Sequence, residues 1–191
     1  MVQTAKELIR QRGYHATSFA DVLQASGASR GSVYFHFPGG KTQLAIEAAQ
    51  AHAAEQIGII DRAADQATDT RRLIECYVDM GRDGMIAGDY GRGCGVAPLV
   101  TEGATQESAE MAEAGRRAFA EMTDRLAFHF VAFGMGSGDA QVLADAVIAG
   151  VQGAMITSRA LRSPAPYESV RAALVSHAAA VSPGNADRAD G

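Results

Sequence analysis

The stretch "SRGSVYFHFPGGK", residues 29–41, decides how this chain is read. It sets Tyr34, Phe35, His36 and Phe37 side by side and then breaks at Pro38-Gly39-Gly40. At about 100° per residue, a helix over this stretch puts Val33 and Phe37 on one side, which must pack on neighbouring helices. Gly31, Ser32 and Phe35 then point the opposite way, with Tyr34 and His36 on the flanks. An exposed Phe between small residues suits a solvated face poorly. It suits a DNA major groove, where an aromatic edge meets a thymine methyl and a serine hydroxyl bonds to base edges. Gly31 allows close approach to the duplex. The polar tips of Tyr34, His36 and Lys41 are expected at phosphates, with the free N–H groups of neighbouring helix N-termini. The competing packing is a small three-helix cap with all the rings buried, and the spacing alone leaves both open.

Working outward, Val2, Ala5, Leu8 and Ile9 fall on one helical face, and Gly13 stands where that helix should stop. Ser18 is placed to cap a second helix, with Asp21 three residues on as in a capping box, and Gly27 ends it. Ser29 caps the third helix, and a long fourth runs from Lys41 to about residue 61. Beyond residue 68, Leu73, Tyr77, Met80 and Gly84 recur at helical spacing. "AGDYGRGCGVAPL" (residues 87–99) reads as a loop leading into a short helix, and a long helix follows from Met111 to Phe133. "GMGSGD" (residues 134–139) breaks the pattern, with Asp139 as the expected cap of the next helix. That helix carries two adjacent apolar rows: Leu143, Val147, Gly150, Ala154, Thr157 and Leu161, and Val142, Ala146, Ala149, Gly153, Ile156 and Ala160. Tyr167, Val170, Leu174, His177 and Val181 mark a last amphipathic helix. No run alternates with period two, so the expected fold is all-α. The expected division is a helix-turn-helix DNA-binding domain over 1–45, a helical ligand-binding and dimerisation domain over 46–181, and a disordered polar tail over 182–191.

The bulk numbers agree. An apolar share of 47% over 191 residues argues against disorder. Cys76 and Cys94 are too few for a disulfide framework and lack metal-site spacing, which points to a reducing compartment. No secretory signal opens the chain, and the uncharged stretch 146–158 is too short to span a bilayer, so a soluble cytoplasmic protein is expected. Net charge is −5, yet residues 1–47 carry five Lys and Arg against three Asp and Glu, while the remainder is strongly acidic. A mildly basic head on an acidic body fits a nucleic-acid-binding module. There is no nucleophile elbow, no HExxH and no Cys pair, so neither an enzyme, a cofactor nor a metal is expected. Tyr77, Met80, Cys94, Met111, Phe119, Met122, His129 and Met155 supply material for an adaptable apolar pocket, although each also fits an ordinary core.

The run "GYHATSFADVLQASGASRGSVYFHFPGGKTQLAIEA" (residues 13–48) resembles the DNA-binding domain of the TetR family of bacterial transcriptional regulators. The likeness extends over roughly residues 5–50, and "GCGVAPLVTE" (residues 93–102) resembles the branch around the lincomycin- and flavonoid-responsive repressors. The resemblance implies a homodimer in which three N-terminal helices bind a palindromic operator and a fourth links them to a ligand-sensing core. It implies phosphate contacts by Thr17, Ser18, Tyr34, His36 and Lys41, with Ser29 heading the recognition helix. Arg30, Gly31, Ser32 and Phe35 would lie over base edges. The last two helices would form the dimer interface, through Leu143, Val147, Gly150, Gly153, Ala154, Thr157, Leu161, Val170, Leu174 and His177. The implied activity is repression relieved by a small apolar or aromatic effector. Many members carry a basic arm ahead of the first helix; this chain begins almost inside that helix, so an arm contact is not part of the expectation. The alternative is a helical small-molecule binder or enzyme that keeps a helix-turn-helix without using it.

Overall fold

The computed structural model describes residues 1–29, 31, 35–103 and 109–181. Among them the regular structure is helical throughout, with no strand. The elements are α1 (Val2–Arg12), α2 (Phe19–Ser26), α3 (Gly40–Asp65), α4 (Thr70–Ala87), a π-helical turn (Leu99–Gly103), α5 (Ala109–Ala132), α6 (Ser137–Leu161) and α7 (Ala165–Val181). Gly31, Phe35 and His36 are also helical. They divide into two compact units, Met1–Gln56 with Arg92–Glu121 and Ile57–Gly91 with Met122–Gly191, so α3 and α5 contribute residues to both.

In the first unit, local signals set each helix end. α1 stops at Gly13, whose φ of +89 is a region that L side chains avoid and whose N–H donates to the Ile9 carbonyl at 2.9 Å. α2 starts with a full capping box: the Asp21 N–H donates to Ser18 Oγ at 3.2 Å, and the Ser18 N–H donates to Asp21 Oδ2 at 2.9 Å. Gly27, left-handed at φ +68, ends it. Ala5 and Ile9 of α1 and Val22 of α2 are buried, as are Leu44, Ala45, Ala48 and Ala49 of α3. Lys6 is buried as well and pairs with Glu55 of α3.

In the second unit α4, α6 and α7 pack on one another. Leu143, Val147, Val151 and Ala154 form the buried row of α6, and Leu73, Ile74 and Tyr77 of α4 and Tyr167 and Leu174 of α7 are buried as well. The α6–α7 contact is close at Gly150, where a Cβ would lie 3.0 Å from Val170 Cγ1 and 3.5 Å from Leu174 Cδ1. α6 starts earlier than its sequence suggests. Its N-cap is Gly136, which has no side chain to cap with, and Asp139 falls inside the first turn, where its charge faces the positive helix end without closing it. By length and composition alone this 25-residue helix could cross a bilayer, whereas the uncharged stretch within it is shorter. Its buried row accounts for much of that apolarity.

One buried group has a consequence for stability. His52 of α3 is 1% exposed, and Gly95 presses against its ring so closely that a Cβ there would lie 2.7 Å from Cγ. Burial, with the charges of Arg10 and Lys6 adding to it, pushes the His52 pKa down to about 3. The folded chain therefore keeps His52 neutral while the unfolded chain takes up a proton below its ordinary value of 6.5. Stability from this residue is complete above that value and is lost as pH falls toward 3. Between pH 8 and pH 5 the loss should be about 2 kcal/mol. Denaturant unfolding should show that slope in the native protein and not in His52→Gln; equal slopes would contradict it.

Candidate nucleic-acid interface

The residues picked from sequence for DNA fall in the first unit. Phe35 is 82% exposed while Phe37, two positions on and past the helical residues, is 5% exposed, so one ring faces solvent and the other the core. Phe35 meets His36 edge-on, with centroids 5.2 Å apart at 88°. Gly31, Ser29 and His36 are exposed, and among the described residues no side chain or distant backbone lies within 4 Å of where a Cβ on Gly31 would stand. Arg30, Ser32, Val33 and Tyr34 lie outside the described residues.

The two hydroxyls expected at phosphates are engaged elsewhere. Thr17 is buried, and its Oγ1 donates to the Gly13 carbonyl at 2.8 Å, because this side chain closes the α1–α2 turn. Ser18 is exposed, but its Oγ donates to Asp21 Oδ2 at 2.6 Å while accepting from the Asp21 N–H. These Ser18 hydrogen bonds, then the nearby Arg12 at 3.4 Å, hold the Asp21 carboxyl below its usual range. At this helix end the backbone amides of the first turn, not the hydroxyls, are suited to an anion.

Lys41, in the first turn of α3, is half-buried. Its Nζ stands 4.2 Å from the Tyr14 ring centroid and donates to the His15 carbonyl at 3.3 Å. Two residues that the sequence reading passed over fix the corners beside it. Gln43 accepts the Gly39 N–H at 2.9 Å and donates to the His36 carbonyl at 3.4 Å, tying α3 to the end of the aromatic stretch. Glu102, from the π-helical turn, accepts the His15 N–H at 2.9 Å. Glutamine one turn into a helix is a weak capping signal. The Glu102 contact spans 87 residues and leaves none.

The residues assigned to an effector are split between the units: Cys94, Met111 and Phe119 in the first, Tyr77, Met80, Met122, His129 and Met155 in the second. Tyr77, Cys94, Met111 and Met122 are buried, and the other four are partly exposed. His129 Nε2 is 2.8 Å from Asp61 Oδ1, which also accepts from Arg125 Nε at 2.5 Å. The Arg125 hydrogen bond, aided by His129, holds the Asp61 carboxyl below its usual range. Cys94 Sγ accepts from the N–H groups of Val96 and Ala97 at 3.3 and 3.4 Å. Among the described residues no cluster of three His, Cys, Asp or Glu is arranged for a metal.

The residues assigned to the dimer interface separate by burial. Leu143, Val147, Ala154 and Leu174 are buried within the chain itself. Gly150 and Val170 are committed to the α6–α7 contact. Gly153, Thr157, Leu161 and His177 are exposed. The second apolar row, not the first, faces out: Val142 and Ile156 are 62% and 68% exposed, with Ala149, Gly153 and Ala160 beside them in sequence register.

Comparison with known proteins covers both halves of the chain. Residues 2–48 match the profile of bacterial regulatory proteins of the tetR family, and residues 71–173 match the C-terminal domain of LmrA/YxaF-like transcriptional regulators. The HTH-type transcriptional regulator Rv0196 of Mycobacterium tuberculosis is 36% identical over 174 residues, 89% of this chain and 88% of that protein. Among solved structures, the regulatory protein TetR from Rhodobacter sphaeroides superposes with a TM-score of 0.81 at 21% identity, covering 92% of this chain and 95% of that one. A cysteine mutant of the TetR family regulator CifR, complexed with 26-base-pair double-strand operator DNA, superposes with a TM-score of 0.77 at 19% identity, covering 92% and 93%. An N-terminal helix-turn-helix head that turns Phe35 outward, joined to a helical domain of LmrA/YxaF type, places this chain in the TetR family of bacterial DNA-binding transcriptional regulators.

Proposed function

We propose that this regulator is a cytoplasmic homodimeric repressor that holds a palindromic operator and releases it on binding a small, largely apolar effector. The observation that carries the DNA side of the reading is Phe35, helical and 82% exposed, two residues before the buried Phe37. An outward aromatic ring in the segment that the family match assigns to DNA suits a thymine methyl, and Lys41, held at the α1–α2 corner, suits a phosphate. In this reading Gly31, Ser32, Arg30 and Phe35 meet base edges, and Lys41, His36, Tyr34 and the amides at the start of α2 hold phosphates. CifR, whose fold this chain shares, is complexed with operator DNA, and that supports a DNA-binding reading of the fold.

The dimer is proposed to form through the outer row of α6, Val142, Ala149, Gly153, Ile156 and Ala160, with the small exposed side chains Ser169, Ala172, Ala173 and Ser176 of α7. Small residues let two-fold related helices approach closely. The Met and aromatic side chains named above favour an apolar effector, aromatic in preference. Such a molecule acts only if it binds the DNA-incompetent arrangement more tightly, since equal affinity for both states shifts nothing.

Two sets of variants test this. Against DNA upstream of the protein's own gene, Lys41→Ala should weaken binding to every sequence and flatten the salt dependence by about one unit. Phe35→Ala should instead change which sequence is preferred, and a uniform loss from both would contradict the division of roles. For assembly, Gly150→Leu should destabilise the chain itself by about 1–3 kcal/mol through overpacking against α7. Gly153→Leu has open space around it and should leave the fold intact while breaking the dimer in sedimentation. A Gly153→Leu protein that sediments as an unchanged dimer would exclude this face.

A further inference from the structure

We infer that Glu102 is a positioning residue for DNA binding: from the π-helical turn it grips the α1–α2 corner and thereby sets where Lys41 presents its charge. The inference rests on Lys41 meeting phosphate, as proposed above. Glu102 makes three contacts with this corner. Its Oε2 accepts the His15 N–H at 2.9 Å, and its main-chain oxygen pairs with His15 Nε2 at 3.1 Å. Its carboxylate also fills the space beside Gly13, where a Cβ would lie 2.5 Å from Oε1 and 3.0 Å from Oε2. The other side of the same residue is held by Lys41, whose Nζ donates to the His15 carbonyl at 3.3 Å and stands over the ring of Tyr14. His15 is thus gripped at its N–H by an anion and at its C=O by the cation. Moving the corner moves the acceptor on which Lys41 rests.

The segment that carries Glu102 is fastened to α1 at a second place. The Gly93 N–H donates to the Arg10 carbonyl at 2.8 Å, Arg10 Nε donates to the Gly93 carbonyl at 3.0 Å, and Arg92 pairs with Glu7 at 3.2 Å. Residues 92–102 therefore run as a strap along the end of α1, and all these contacts lie within one compact unit.

Charge alone predicts the opposite effect, which makes the inference testable. A carboxylate near a phosphate-binding corner repels DNA, so removing its charge should tighten binding if Glu102 were a bystander. If it positions Lys41, Glu102→Gln, which keeps an accepting oxygen but turns a charge-assisted hydrogen bond into a neutral one, should weaken binding by about three- to tenfold. Glu102→Asp keeps the charge but shortens the reach, and should weaken binding as well. The experiment is an anisotropy titration of labelled DNA from upstream of the protein's own gene, over a range of salt, with Lys41→Ala and the Lys41→Ala/Glu102→Gln double variant included. Because Glu102 acts through Lys41, Glu102→Gln should cost nothing further once Lys41 is gone. Tighter or unchanged binding by Glu102→Gln, or the same fold loss with and without Lys41, would overturn the inference while leaving the DNA-binding reading in place. No loss from Lys41→Ala would overturn both.

Discussion

Gly13 sits at the tightest point of the DNA-binding head. Its φ of +89 turns the chain from α1 toward α2, and the carboxylate of Glu102 occupies the space a side chain would need. An alanine here would meet backbone strain and a steric clash together. The Thr17 hydroxyl bonds to the Gly13 carbonyl, the Ser18–Asp21 box opens α2 immediately afterwards, and Lys41 reaches across to His15. The orientation of α2 and the start of α3 thus follow from one backbone corner held by several independent contacts. Where a helix-turn-helix must meet a duplex of fixed dimensions, such over-determination keeps the reading helix in register.

The second constraint is rotational. Successive helical residues differ by about 100°, so a short aromatic run cannot be buried whole. Here the division leaves Phe37 in the core and Phe35 in water. The mild positive charge of the head then acts within an acidic chain whose net charge is −5, so non-specific attraction to DNA is modest and recognition depends on the few residues that face out. The acidic side chains close to this face are not idle. Asp21 caps α2 and pairs with Arg12, and Glu102 holds His15.

What the sequence made legible was local. Gly13, Ser18, Asp21 and Gly27 act on partners within four residues, so the ends of α1 and α2 could be read directly. The rows of α6 were equally visible, but both are apolar, and which one turns inward is decided by α7 meeting Gly150, a contact between different helices. Hence Leu143 and Val147, natural choices for an interface, belong to the core, and Val142 and Ile156 stand outside. Thr17 is ambiguous in sequence for a related reason: a hydroxyl at a helix start suits a phosphate and a turn carbonyl equally well, and here it meets the Gly13 carbonyl. Asp139 suits a cap by residue type, yet α6 begins at Ser137 without a side-chain cap. Glu102 and Lys6 find their partners 87 and 49 residues away, and no periodicity records such pairs. The Met residues carry the least information, since burial of Met111 or Met122 looks the same in a core as in a binding pocket.

The proposed dimer, meeting DNA through two copies of the segment that carries Phe35, must leave a symmetric imprint on the duplex. Hydroxyl-radical footprinting of the DNA upstream of the protein's own gene measures that imprint most directly. Two protected half-sites related by two-fold symmetry are expected, on one face of the duplex and with centres about 34–36 Å apart or a multiple of that. A single unrepeated patch, or uniform protection that follows protein concentration without regard to sequence, would contradict the assignment.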